Sequence, residues 1–226
     1  SFLNVLHIIY NQLLILKAEI IMPPIVSDDY KEKKKKEILS SAFVCFAKKG
    51  FEVATINDIV EHSGISKGAI YNYFQSKDDI YLELMSTETS QTYDELNQEI
   101  SKKTSAIDKL NYLFDIYLDL NPFIEENKAR FSVHLEFKLH SSRNKELTER
   151  LRNRRHKYFI SQITDILKDG KKSGEIKQDV NPELFADLFW SMVDGVVSQT
   201  IVYEDYPYHE VLKEIKKMFI LRVLVQ

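Results

Sequence analysis

The residues whose types and spacing could do chemistry lie between Thr55 and Lys77, and the chemistry they suit is the holding of a polyanion. The run Ser66-Lys67-Gly68-Ala69-Ile70-Tyr71-Asn72-Tyr73-Phe74 reads as a short helix. At its start, Ser66 and the unpaired amides of the first turn stand at the positive end of the helix dipole, a natural seat for phosphate. Lys67 extends a flexible charge from that turn. Gly68 and Ala69 have almost no side chain, so the helix can press against the floor of a major groove and the thymine methyls there. Ile70 and Phe74, four apart, form the face that must be buried. Tyr71, Asn72 and Tyr73 lie round the rim with polar tips suited to phosphate oxygens. Thr55, at the start of the preceding helix, and Lys77, on the following one, complete the set. Each residue alone also has a plain structural use. Thr55 and Ser66 cap helices with or without a ligand, Tyr73 can brace Phe74, and the Lys33–Lys36 run can be a solvated helix face. Taken in order, the set points to duplex DNA.

The elements that must position these residues are legible on either side. Asp28 or Asp29 opens a helix whose Ile38, Ala42, Phe43 and Phe46 share one face, and Gly50 closes it. Thr55-Ile56-Asn57-Asp58 is a capping box with Asp in place of Glu or Gln. The helix it starts stops at His62-Ser63-Gly64, and Ser76 caps a long helix beginning Lys77-Asp78-Asp79. Two short helices round a glycine-bearing turn form a helix-turn-helix. Beyond about residue 85 the spacing predicts one helix after another, with breaks near Ser105, at Asn121-Pro122, at 140–143, at Gly170–Gly174, at Asn181-Pro182 and at 205–207. In both Asn-Pro pairs, Asn is expected as the cap and Pro as the first helical residue. No strand pattern of useful length appears. The expected fold is all-α, with an apolar extension over 1–26, a helix-turn-helix domain over 27–75 and a larger helical bundle over 76–226.

Residues 37–85 resemble the DNA-binding domain of the TetR family of transcriptional regulators. Ala42, Phe46, Gly50-Phe51, Thr55, Ile59, Ser63-Gly64-Ile65-Ser66, Gly68, Tyr71, Tyr73-Phe74 and Lys77 carry the resemblance. It implies phosphate contacts from Thr55, Ser66, Tyr71, Asn72, Tyr73 and Lys77, and base or groove-floor contacts from Lys67, Gly68 and Ala69. Family members often have His where this chain has Tyr73. The resemblance also implies a homodimer on a double-stranded DNA operator, released by a small, mostly apolar or aromatic effector, with repression the usual mode. Two recognition helices about 34–36 Å apart would read a pseudo-palindrome.

The remaining sequence sets bounds on this reading. A net charge of −3 over 226 residues excludes a globally basic coat, so DNA binding must come from a local patch and from two copies acting together. The lone Cys45 cannot form an internal disulfide, which fits a reducing, cytoplasmic setting. Six Gly and five Pro are too few for many tight turns. Residues 1–21 are apolar, but Asn4, His7, Asn11, Gln12, Lys17 and Glu19 interrupt any membrane span. An amphipathic helix is expected there, and Met22 reads as the usual start. In the body, Tyr117, His134, Trp190 and Asp194 are candidates to line an effector pocket, since such a pocket needs apolar walls with a few polar groups. The long helix after Ser76 is the expected coupling element. Phe185, Leu188, Phe189, Met192 and Val196, with Val211, Ile215, Met218 and Leu221, form stripes suited to a dimer contact. Asp169-Gly170-Lys171-Lys172-Ser173-Gly174 lacks phosphate-loop spacing, and His134 and Glu136, two apart on an expected helix, point to different faces and make a poor metal pair. No enzyme, cofactor or metal site is expected. The alternative is a helix-turn-helix that docks protein rather than DNA.

Overall fold

The computed structural model describes residues 28–225. The described chain forms α1 (Asp28–Lys49), α2 (Ile56–Ser63), α3 (Lys67–Tyr71), α4 (Lys77–Ser101), α5 (Ala106–Leu118), α6 (Glu125–Ser141) and α7 (Lys145–Arg155), then a π-helical turn (His156–Ile160), α8 (Ser161–Ser173), α9 (Pro182–Val202) and α10 (Tyr208–Val223). Among the described residues the one β-type pairing is an isolated antiparallel bridge between Ile176 and Leu224. The helix expected over 1–21 lies outside the described residues.

Most helix ends follow from local hydrogen bonds. Thr55 and Asp58 make the reciprocal capping box at the start of α2, which closes on Gly64 in the left-handed conformation at φ 69°. The Ser66, Ser76, Ser105 and Asn181 side chains cap α3, α4, α5 and α9. Acidic residues open α1 and lysines close it, complementing the dipole.

Three local expectations change. First, α3 stops at Tyr71 instead of running to Phe74. The amides of Tyr73 and Phe74 both turn back onto the Ile70 carbonyl at 3.0 Å, and this tightened turn carries Phe74 into the core. Second, Asn121-Pro122 does not start a helix. Asn121 Oδ1 accepts from the Phe123 amide at 3.0 Å, a local turn that consumes the capping group and delays α6 to Glu125. Third, the break at Gly170–Gly174 is confined to Gly174. Gly170 lies within α8, where a Cβ would come 2.4 Å from Ile176 Cγ1 and 2.6 Å from Ala106 Cβ.

Two hydrophobic clusters organise the molecule. The first, called here the head, gathers Ile38, Phe46, Phe51, Ile59, Ile70 and Phe74 with Ile80, Tyr81 and Met85 of α4, Val133 and Phe137 of α6, and Leu147 of α7. The head core therefore does not divide at 75/76: α4 and α6 complete it. The second, the body, joins α5, α8, α9 and α10 through Leu110, Phe114, Ile163, Leu167, Phe189, Trp190, Leu212 and Phe219. The expected dimer stripes split between two faces. Phe185, Phe189 and Val196 are buried in the body, whereas Leu188, Met218 and Leu221 stay exposed beside Leu184 and Val225. Neighbouring positions such as 188 and 189 lie roughly 100° apart round a helix, so one stripe cannot serve both surfaces.

Candidate functional site

The short helix α3 is anchored from beneath and open on top. Ile70 is fully buried and Phe74 nearly so, while Ser66, Lys67, Gly68, Tyr71 and Asn72 are exposed. Ala69 is half-buried. A Cβ placed on Gly68 would meet no atom within 4 Å, so that side of the turn is open. Ser66 Oγ accepts from the Ala69 amide at 3.3 Å, which leaves its own O–H to donate outward.

Thr55 is exposed at the start of α2 and belongs to a small network. Its Oγ1 accepts from the Asp58 amide at 3.2 Å and donates to Asp58 Oδ2 at 2.9 Å. Lys49 Nζ pairs with Asp58 Oδ1 at 2.6 Å. The Lys49 bond, followed by those from Thr55, pulls the Asp58 carboxyl down to about 2 from 3.8. Thr55 is thereby fixed in place, independently of any ligand.

Two of the nominated DNA contacts sit differently from the rest. Tyr73 is half-buried against the head core and lines a cleft with Lys35, Phe74, Gln75, Asp79, Glu83 and Arg150. Lys77 departs further from expectation. Its ammonium donates to the carbonyls of Phe51 at 2.6 Å, Glu52 at 3.1 Å and Ala54 at 3.0 Å, and lies 4.5 Å from the centre of the Phe51 ring. An ammonium has three donors, and all three are spoken for. Burial lowers its pKa, with the carboxylates of Glu52, Asp78 and Glu136 opposing the shift. Lys77 braces the loop before Thr55 instead of reaching outward for phosphate.

In the body, the four effector candidates come together from three helices. Tyr117 of α5 and Trp190 of α9 meet edge to face at 6.0 Å. Phe159 of the π-helical turn packs 4.8 Å from Trp190, and its carbonyl accepts from Trp190 Nε1 at 3.0 Å. Asp194, one turn beyond Trp190, acts on both Tyr117 and His134 and pairs with Lys138 at 3.0 Å. Burial is the main cause that raises the Tyr117 pKa, with Asp194 adding to it. Burial likewise lowers His134 to about 4, helped by the positive charges of Arg154 and Lys138. At neutral pH the cluster therefore offers an uncharged imidazole and an uncharged phenol amid aromatic rings. Both residues are half-buried, so they retain surface that a small molecule can touch.

Sequence reasoning gave no role here to four residues. Arg154 lies over the Phe159 ring at 5.1 Å and donates to the Thr89 hydroxyl on α4. Lys138, Glu136 and His140 stand on α6, which faces the body with His134 and Lys138 and the head with Glu136, Phe137 and His140. Nothing in their local spacing marks them, because every partner is distant in the chain.

A family model described as "Bacterial regulatory proteins, tetR family" matches residues 38–84, and one described as "YsiA-like protein, C-terminal region" matches 86–223. The chain is 29% identical over 185 residues to the uncharacterized HTH-type transcriptional regulator YfiR of Bacillus subtilis, covering 81% of this chain and 88% of that one. Its fold matches FadR of Bacillus subtilis in complex with stearoyl-CoA, with a TM-score of 0.71, 23% identity and coverage of 83% and 98%. It also matches a putative transcriptional regulator from Saccharomonospora viridis in complex with choline, with a TM-score of 0.72, 20% identity and coverage of 86% and 100%.

Proposed function

The chain belongs to the TetR family of bacterial transcriptional regulators, and from that premise we propose that it grips a pseudo-palindromic operator as a homodimer and releases it when an effector enters the body. It is a ligand-responsive DNA-binding regulator, and repression is the proposed mode. The observation that carries the reading is α3: held from below by Ile70 and Phe74, it offers Ser66, Lys67, Gly68, Tyr71 and Asn72 to solvent. Lys67, Gly68 and Ala69 meet the groove floor. Thr55, Ser66, Tyr71, Asn72 and Tyr73 hold phosphates, with Lys77 supporting from behind.

Pairing follows from charge and from exposed apolar surface. A chain with net charge −3 needs two heads to hold DNA firmly. Leu184 and Leu188 of α9, with Met218 and Leu221 of α10, leave an apolar face suited to a four-helix contact. The effector is a small, mostly apolar or aromatic molecule seated at Tyr117, His134, Trp190 and Asp194. The stearoyl chain bound by the Bacillus subtilis relative supports an apolar body for it. No described helix is long and apolar enough to cross a membrane. As a proposed regulator working on DNA, the protein would act in the cytoplasm.

The test uses a labelled duplex selected by the wild-type protein from a randomised pool. Lys67→Ala and Tyr71→Ala are each expected to weaken binding by about 1–3 kcal/mol without lowering the melting temperature. Unchanged affinity in both variants, at low and high salt, would favour a helix-turn-helix that docks protein.

A further inference from the structure

Helix α6 touches both units, and one of its contacts differs in kind from the others. Phe137 packs 4.9 Å from the Phe51 ring and 4.6 Å from Tyr81, a contact without strong direction. His140 has one ring nitrogen 3.1 Å from Glu52 and the other 3.1 Å from Asp78, both on partly exposed side chains. Glu136 instead reaches the backbone. Its Oε2 accepts the Phe51 amide at 2.5 Å, a charge-assisted bond in a partly buried place. The approach is close enough that a Cβ on Gly50 would lie 2.9 Å from the same oxygen.

We propose that Glu136 is a positioning residue for DNA binding: through the Phe51 amide it sets the loop that carries Thr55, and so passes the state of the body to α2 and α3. This rests on the reading of the protein as a ligand-responsive DNA-binding regulator. The loop from Gly50 to Ala54 is held from two sides. Helix α6 takes an N–H through Glu136, and the start of α4 takes three carbonyls through Lys77. A loop so held does not absorb a displacement of α6 but hands it on to Thr55, the cap of α2. On its other face α6 is tied to the effector cluster, since Lys138 pairs with Asp194 one turn from Trp190. Helix α6 thus touches both sites, and coupling through it requires that it have two positions that the sites favour differently.

Coupling between sites is reciprocal, so DNA bound at the head must be felt in the body. Trp190 is the single tryptophan of the chain and lies in the effector cluster, so its emission reports the body without any effector. The experiment titrates the selected, labelled duplex into the full-length protein. Anisotropy of the duplex follows binding, and Trp190 emission follows the body. Wild type shifts its emission on binding. Glu136→Gln keeps the shift, because the amide oxygen still accepts from Phe51. Glu136→Asp and Glu136→Ala bind duplex but lose the shift, since the first falls one methylene short and the second has no acceptor. A merely stabilising side chain would not separate Gln from Asp in this way, and that pair decides the matter even if the alanine variant fails to fold. The proposal is overturned if the Asp variant shifts like wild type, if the Gln variant loses the shift as fully as Asp, or if bound wild type shows none. A wild type that leaves the anisotropy unchanged refutes DNA binding itself, and this role with it.

Discussion

Replacing Lys77 with methionine separates a phosphate contact from a brace. Methionine keeps the length and apolar stem of the side chain, so the substitution removes little besides the ammonium. Three bonds are lost, to Phe51, Glu52 and Ala54. The Glu52 carbonyl is exposed and water replaces its donor, so it adds little. The Phe51 and Ala54 carbonyls are partly buried, and each lost bond costs about 1 kcal/mol net. The cation over the Phe51 ring adds roughly 0.5 kcal/mol. Relief of the desolvation that lowers the Lys77 pKa returns a part of this. The expected loss is about 2 kcal/mol, read as a lower urea midpoint by circular dichroism. In a salt series with the selected duplex, the log–log slope is expected to stay that of wild type. A phosphate contact would do the reverse, leaving the midpoint unchanged while the slope fell by about 0.9. That result would refute the brace.

Three further outcomes can be checked. Asp58 has its carboxyl pKa depressed to about 2, so the stabilisation it brings is present above the ordinary value of 3.8 and is lost as pH falls from there toward 2. Asp58→Asn should lack that loss, and parallel melting curves for variant and wild type would contradict the network. His134 is a base lowered to about 4 from 6.5, so on acidification the unfolded chain takes up the proton first. Wild type should lose stability between about 6.5 and 4, and a His134→Gln protein that loses as much there would rule out this residue as the source. Gly50 and Gly64 both have positive φ, at 78° and 69°, but only Gly50 has Glu136 pressed against it. Gly64→Ala should cost about 1 kcal/mol from backbone strain alone, and Gly50→Ala more. Equal losses in chemical unfolding would remove the packing component.

What could be read from the sequence were features whose partners lie within a few residues. The Thr55–Asp58 box, the Ser66, Ser76 and Asn181 caps and the left-handed Gly50 and Gly64 all close hydrogen-bonded turns inside their own segment. The face of α3 was legible for the same reason, because Ile70 and Phe74 had to be buried and the intervening residues had to point elsewhere. Local competition was harder to weigh: the Asn121 side chain turned onto Phe123 instead of capping a helix, and the amides after Tyr71 closed α3 early. Tertiary structure alone decided the rest. Lys77 finds its carbonyls 23 to 26 positions back, and Glu136 finds its amide 85 positions back. A lysine at the start of a helix looks the same in sequence whether it faces solvent or a loop, and a stripe of leucines and phenylalanines does not say which half turns inward. Those choices belong to the packing of helices distant in the chain, which sets what each polar tip can reach and which apolar side chains escape water.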